Sequence, residues 1–206
     1  MVSDYGEYHF CGGTLIFPEW VLTAAHCTMR FKPDDIKIVV GSIKRFEGGI
    51  YYDVDKIFNH EDYDRFKNDI AVIKSATYIR LNPPAVDKIT LATREVPTGA
   101  KCTLSGWGNT DNINRRGPEN VQIATVTTIS YEECKKNFTS ITRSNICTYD
   151  GYRVGFCLGD GGGPLVYQNE VVGIASFGLP CARGIPDVYT KVLSYRKWIM
   201  DIVLAN

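Results

Sequence analysis

The chain predicts an all-β fold, and three observations carry that prediction. Short β-branched and aromatic runs recur between turn signals: TLIFPEWVLT, IKIVVGS, YYDVDKIF, DIAVIKS, CTLSGWG, VQIATVTTI, PLVYQNEVVGIASFG and DVYTKV. Their regular spacing is that of a sandwich or barrel. Helical patterns show in only two short places. The first is SYEECKKNF, where Ser130 and Glu133 form a capping box. The second is SYRKWIMDIVLA, where Ser194 is the expected N-cap and Tyr195, Trp198, Ile199, Ile202 and Val203 share one face. Between the two halves, residues 81–100 are rich in proline and threonine with weak periodicity. They read as a linker.

Composition narrows the function. The chain has 206 residues, and its 23 Lys+Arg balance 23 Asp+Glu. A neutral chain without a basic block gives no electrostatic reason to expect nucleic acid. No apolar run nears the ~20 residues that span a bilayer, so no membrane is expected. No signal peptide is visible, and the start reads as truncated. Seven cysteines include no C-x-x-C pair, and there are only three histidines. Zinc-ligand spacing is missing, so disulfides and an oxidising, secreted setting are the expectation. Asn137 in NFT is an N-glycosylation acceptor triplet, a pattern that also arises by chance.

The chemistry lies in three fragments. LTAAHC places His26 just after an apolar strand, and NDIAVI places Asp69 at the mouth of another. CLGDGGGPLV follows, with four glycines between Gly159 and Leu165. Such a run marks a backbone that bends sharply or admits a close approach. The order His, Asp, then glycine-rich frame is one chain order of a catalytic triad.

These fragments, with SGWG and DVYTKV, resemble the trypsin and chymotrypsin family of serine proteases from HFCGGTLI to YRKWI. The resemblance implies two antiparallel six-stranded β-barrels with a C-terminal helix, the N-terminal barrel over 1–86 and the C-terminal barrel over 87–206. It makes His26 the general base and Asp69 the orienting acid. GDGGGP stands for the family's GDSGGP, so Gly161 replaces the nucleophilic serine. The backbone N–H groups of Gly159 and Gly161 would form an oxyanion hole, which survives loss of the hydroxyl. Ser176 matches a family serine near the aspartate, not the attacking one. Loss of the nucleophile costs roughly a millionfold in comparable triads, on the order of 8 kcal/mol of barrier.

Other departures follow from the same resemblance. Family members are activated when a cleaved N-terminus pairs with the acid before the serine, here Asp160. The activation segment is missing from this sequence, so a precursor-like contact of Asp160 with His9, and with Ser3, is expected. The alternative leaves Asp160 solvated and His9 a plain strand residue. The specificity pocket comprises Gly155, Phe156, Ser176, Phe177, Gly178 and Asp187. Trypsin-like members carry an aspartate at the Gly155 position; here the acid is on the opposite wall, at Asp187, as in some crustacean and insect collagenolytic members. Phe156 is expected to narrow or block the pocket, unless it turns into the core and Asp187 into solvent. The implied disulfides are Cys11–Cys27, Cys134–Cys147 and Cys157–Cys181, each worth ~3 kcal/mol in the loop-entropy model. Cys102 is left over because Tyr167 holds its usual partner's place. A buried thiol or an intermolecular bridge are its two readings.

The resulting expectation is a secreted, monomeric, catalytically inactive protease homologue, of a kind familiar among invertebrates. It acts by binding an extracellular protein, as cofactor or decoy in a proteolytic cascade, without a cofactor or metal of its own. Only Glu47 falls where a calcium loop would lie. The alternatives are an active peptidase inactivated by a Ser-to-Gly mutation, or a structural or storage module. Residues 44–50, 109–120 (with Arg115 and Arg116 at the tip) and 178–186 are the candidate binding loops.

Overall fold

The computed structural model describes residues 1–3, 9–110 and 117–206, so Arg115 and Arg116 lie outside the described residues. Six strands build the first sheet: β1 (Val2–Ser3), β2 (Thr14–Phe17), β3 (Trp20–Thr23), β4 (Ile36–Val40), β5 (Ile50–Asn59) and β6 (Ala71–Ser75). Their order is β1-β4-β5-β6-β3-β2, antiparallel throughout. Alternation explains β4, where Ile36 and Ile38 are buried and Lys37 between them is not. In β6 the consecutive residues Ala71, Val72 and Ile73 are all buried, because both faces of that strand are covered. Each such Ile contributes about 1.5–3 kcal/mol over an exposed one.

The second sheet comprises β7 (Thr90–Leu91), β8 (Lys101–Gly106), β9 (Gln122–Ile129), β10 (Asn145–Thr148), β11 (Pro164–Tyr167), β12 (Glu170–Phe177) and β13 (Asp187–Lys191). Its order is β11-β8-β9-β10-β13-β12-β7, and a further β11–β12 pairing closes six of these strands into a ring. The seventh, β7, pairs in parallel with β12 through Thr90 and Leu91. The expected linker thus supplies a strand: Leu91 and Ala92 are buried, and the Ala92 N–H donates to the Val171 carbonyl. The architecture is two barrel-like sheets with a C-terminal helix, as the resemblance implies.

Among the described residues three α-helices punctuate the strands: α1 (Ala25–Thr28), α2 (Tyr131–Lys135) and α3 (Val192–Ala205). Ser130 caps α2, its hydroxyl accepting from the Glu133 N–H at 3.1 Å. The expected start of α3 is corrected. Lys191, not Ser194, is its N-cap, and β13 runs directly into the helix. Val192 is fully buried there, so packing sets the start rather than a capping hydroxyl. Tyr195 and Ile199 are buried, with Trp198, Ile202 and Val203 packed on the same core. The three implied disulfides are formed, and Cys102 is a buried free thiol whose pKa burial pushes up to about 11. The 44–50 segment is held against residues 119–120: the Arg45 N–H donates to the Glu119 carbonyl at 2.7 Å, and Lys44 pairs with Glu119 at 3.1 Å.

Candidate functional site

A cleft of about 1040 Å³ brings together His26, Asp69, Phe156, Gly159, Gly161, Ser176, Phe177 and Gly178. His26 enters it from α1, a single turn locked by the Cys11–Cys27 disulfide. Asp69 lies just before β6 and is 2 % exposed. Its carboxylate is fully engaged. Oδ1 accepts from the His26 backbone N–H at 2.8 Å. Oδ2 accepts from the His26 ring at Nδ1 (2.7 Å) and from the Ser176 hydroxyl (2.5 Å). The Thr190 hydroxyl donates to the Asp69 carbonyl at 2.7 Å. Asn68, at φ 54°, accepts from the Tyr195 hydroxyl at 2.8 Å, so α3 pins the approach to Asp69. The pairing leaves His26 Nε2 turned to the cleft, with the side chain 34 % exposed. A carboxylate on Nδ1 fixes the tautomer that makes Nε2 the proton acceptor.

Cys11, His26 and Cys27 bring possible ligand atoms together, with His26 Nε2 3.5 Å from Cys27 Sγ. The two sulfurs are bonded to each other, which removes both as thiolate ligands.

At the serine's expected place the imidazole has closed in. A Cβ on Gly161 would stand 2.6 Å from His26 Nε2, inside van der Waals contact. Around it the loop is tied down by its backbone. The Gly12 N–H donates to the Gly161 carbonyl at 2.8 Å, the Gly162 N–H to the Ala175 carbonyl at 2.8 Å and the Gly163 N–H to the Asp160 carbonyl at 2.9 Å. Gly159 takes φ 101°, a conformation that a side chain would strain. Among the described residues, neither the Gly159 nor the Gly161 N–H is spent on a protein acceptor. Two unspent backbone donors on one cleft wall can hold a developing oxyanion or a ligand carbonyl.

The precursor-like contact is corrected. The Asp160 carboxylate faces Gly106 and Gly108 rather than His9. Oδ1 accepts from the Gly108 N–H at 2.8 Å and Oδ2 from the Cys157 N–H at 2.9 Å. The His9 ring instead bonds the Gly159 carbonyl through Nε2 at 2.9 Å, and Ser3 is committed to the ladder opposite Ile36. Burial is the largest cause that lowers the His9 pKa, to about 4. A neutral ring offers Asp160 no positive charge, whereas two backbone N–H groups satisfy the carboxylate directly. Even so, burial holds the Asp160 carboxyl above the usual range.

Phe156 and Asp187 divide between the two alternatives for the pocket. Phe156 is 7 % exposed, stands edge-on to Tyr189 at 5.4 Å and lies 3.6 Å from the point a Gly178 Cβ would occupy. Its ring both joins the core and floors the cleft. Asp187 turns inward, 3 % exposed, with Oδ2 accepting from the Phe156 N–H at 2.9 Å. The place where a Gly155 Cβ would sit is 1.9 Å from that oxygen, so Gly155 is glycine to admit the acid. Among the described residues Oδ1 is buried without a partner, and burial lifts the Asp187 pKa from 3.8 to about 7. Asp187 does not line the cleft, whereas Phe156 does.

Sequence reasoning missed Phe66. It faces Phe177 at 5.1 Å, and Phe177 in turn faces Phe138 at 5.6 Å. A lone Phe in a polar loop carries no sequence signal for such a contact.

Comparison with known proteins gives a consistent result. The family described as Trypsin matches residues 1–199. Rat Trypsin-4 is 38% identical over 217 residues, covering 98% of this chain and 83% of that protein. Human Serine protease 1 is 35% identical over 220 residues, covering 100% of this chain and 84% of its own. Among solved structures, neuropsin, a serine protease of the mouse brain's limbic system, superposes with a TM-score of 0.89 at 30% identity. That match covers 98% of this chain and 92% of the neuropsin chain.

Proposed function

The chain belongs to the trypsin family, and on that premise we propose that it binds an extracellular protein partner without cleaving it. One observation carries this reading: Gly161 stands where the attack hydroxyl belongs, and His26 Nε2 leaves no room there for a Cβ. A base without a nucleophile has nothing to activate, because triad members act as a unit. Phe156 adds to it, since its ring lines the cleft whereas the buried Asp187 does not. What remains suits recognition. The cleft offers the Gly159 and Gly161 donors beside apolar Phe10, Phe31 and Phe177. Three disulfides favour an oxidising, extracellular setting.

A second reading has one observation in its favour. The pairing of His26, Asp69 and Ser176 is complete, as a working peptidase requires. On that reading the native chain carries serine at 161 and is an active endopeptidase. The two separate experimentally. The purified chain should show no labelling by a fluorophosphonate and no turnover of a mixed peptide library. It should nonetheless compete for a protein partner at nanomolar to micromolar affinity. His26-dependent turnover of the unaltered chain would sink the binding-only reading.

A further inference from the structure

We infer that Asn137 carries an N-linked glycan, attached beside the Phe177 wall of the cleft. The inference rests on the extracellular reading above and adds a modification site to it. The chain holds one Asn-x-Thr triplet, Asn137-Phe138-Thr139, and no Asn-x-Ser. Its local structure suits an acceptor. The triplet follows α2 directly, in a turn outside every strand. Asn137 and Thr139 are exposed, while Phe138 between them is half-buried. The Phe138 ring packs on the satellite core of Cys134, Ile141, Cys147 and Val188. It therefore anchors the segment, and its two polar neighbours stay at the surface.

The backbone contributes as well. The Asn137 and Phe138 N–H groups both donate to the Cys134 carbonyl, at 3.0 and 3.2 Å. Cys134 is itself tied to Cys147. Among the described residues, neither the Asn137 amide nor the Thr139 hydroxyl is spent on an internal hydrogen bond. Both polar groups are free for an acceptor complex. The chain's one Asn-x-Cys triplet, Asn145-Ile146-Cys147, contrasts on each point. It lies within β10, Ile146 and Cys147 are buried, and the thiol is in a disulfide.

The transfer requires a lipid-linked sugar diphosphate as donor. Asn137 Nδ2 bonds to the anomeric carbon of the sugar. The carbon–oxygen bond to the diphosphate breaks, the lipid diphosphate leaves with the electron pair, and the amide gives up one proton. Nothing is oxidised or reduced. Placement then has a consequence for the cleft. Phe138 touches Phe177, which lines the cleft. A sugar rooted one residue away narrows approach from that side and leaves the side of Met29, Arg30 and Phe31 open.

The test is secretory expression of the full chain in insect cells behind a vector-supplied leader. Gel mobility and intact mass are read before and after a peptide N-glycosidase. One discrete shift, removed by the enzyme, is expected. Asn137→Gln and Thr139→Ala should each abolish it, and Thr139→Ser should retain it. An unshifted chain in which all three disulfides have formed would overturn the inference, as would a shift that persists in Asn137→Gln. The disulfides in the same sample test the extracellular reading separately. A glycan on a chain whose cysteines stay reduced would support the site and count against that reading. Translation into sealed microsomes guards against variants that fail to fold, because a protease-protected product without the shift overturns the site directly.

Discussion

Two regions of one cleft treat their polar groups in opposite ways. On one side Asp69 is saturated: two donors from His26, one from Ser176, and a further tie from Thr190 to its backbone. On the other, among the described residues, 155–163 keep their donors unspent at Gly159 and Gly161 and leave Asp187 Oδ1 without a partner, and no side chain stands at position 161. The first region is held by side-chain chemistry and can lose any member only at a cost. The second is held by backbone hydrogen bonds, which do not depend on a side chain at position 161.

The largest effect should come from restoring the nucleophile. Gly161→Ser has up to about 10⁶ in turnover to recover if the whole serine contribution returns. The single variant should fall well short of that. Its Cβ must displace an imidazole that Asp69 pins, and on the proposed reading the Phe156 ring in the cleft hinders side-chain entry. Adding Phe156→Ser should raise peptide turnover further, measured beside fluorophosphonate labelling. If the single variant already matches the double, Phe156 is no barrier and the missing hydroxyl is the only lock.

The next prediction concerns Asp187, through pH. Its folded pKa is raised above that of an unfolded aspartate, so the folded state holds the proton more tightly. Its contribution to stability is complete below pH ~4 and is lost as pH rises towards about 7. Three units correspond to up to about 4 kcal/mol. Asp187→Asn should remove this loss, so its stability advantage over the parent should grow from pH 4 to pH 8 in urea titrations. An advantage that stays flat with pH would show that the acid is solvated or paired.

Phe156→Ala tests whether one ring both fills core and closes the pocket. Truncation of a buried Phe costs about 3–5 kcal/mol. It should also admit a small aryl amidinium to Asp187, seen by calorimetry as binding that Phe156→Ala/Asp187→Asn lacks. Stability loss without binding would assign the ring to packing alone. The smallest effect belongs to the saturated side. Tyr195→Phe removes one hydroxyl donor from Asn68, and about 1 kcal/mol is expected. The His26–Asp69 pairing should persist, which the ring proton resonances of His26 would report.

Much of the site is legible in the chain because it rests on local identity. LTAAHC, NDIAVI and GDGGGP locate His26, Asp69 and Gly161, and the glycine at 161 excludes a hydroxyl whatever the fold. The all-β pattern is equally local, since alternation such as that in IKIVV needs no partner to be read. Other features are competitions across space, and a linear reading has no means to settle them. Asp160 was expected against His9, but backbone N–H groups of Cys157 and Gly108, the latter far away in sequence, reach it instead. Ser194 has the chemistry of a cap, yet burial of Val192 starts the helix earlier. Residues 81–100 have weak periodicity, yet β12 offers Thr90 and Leu91 a free edge.

The sequence by itself determined the barrel class, the places of His26 and Asp69 in the chain, and the absence of a hydroxyl at position 161, because each follows from which side chains exist and in what order. Only the tertiary structure decided where Asp160 turns, that Phe156 packs edge-on to Tyr189 while its N–H holds Asp187, and that His26 stands close to position 161. Those outcomes depend on which donors, rings and cavities are brought within a few ångströms by strands distant in the chain.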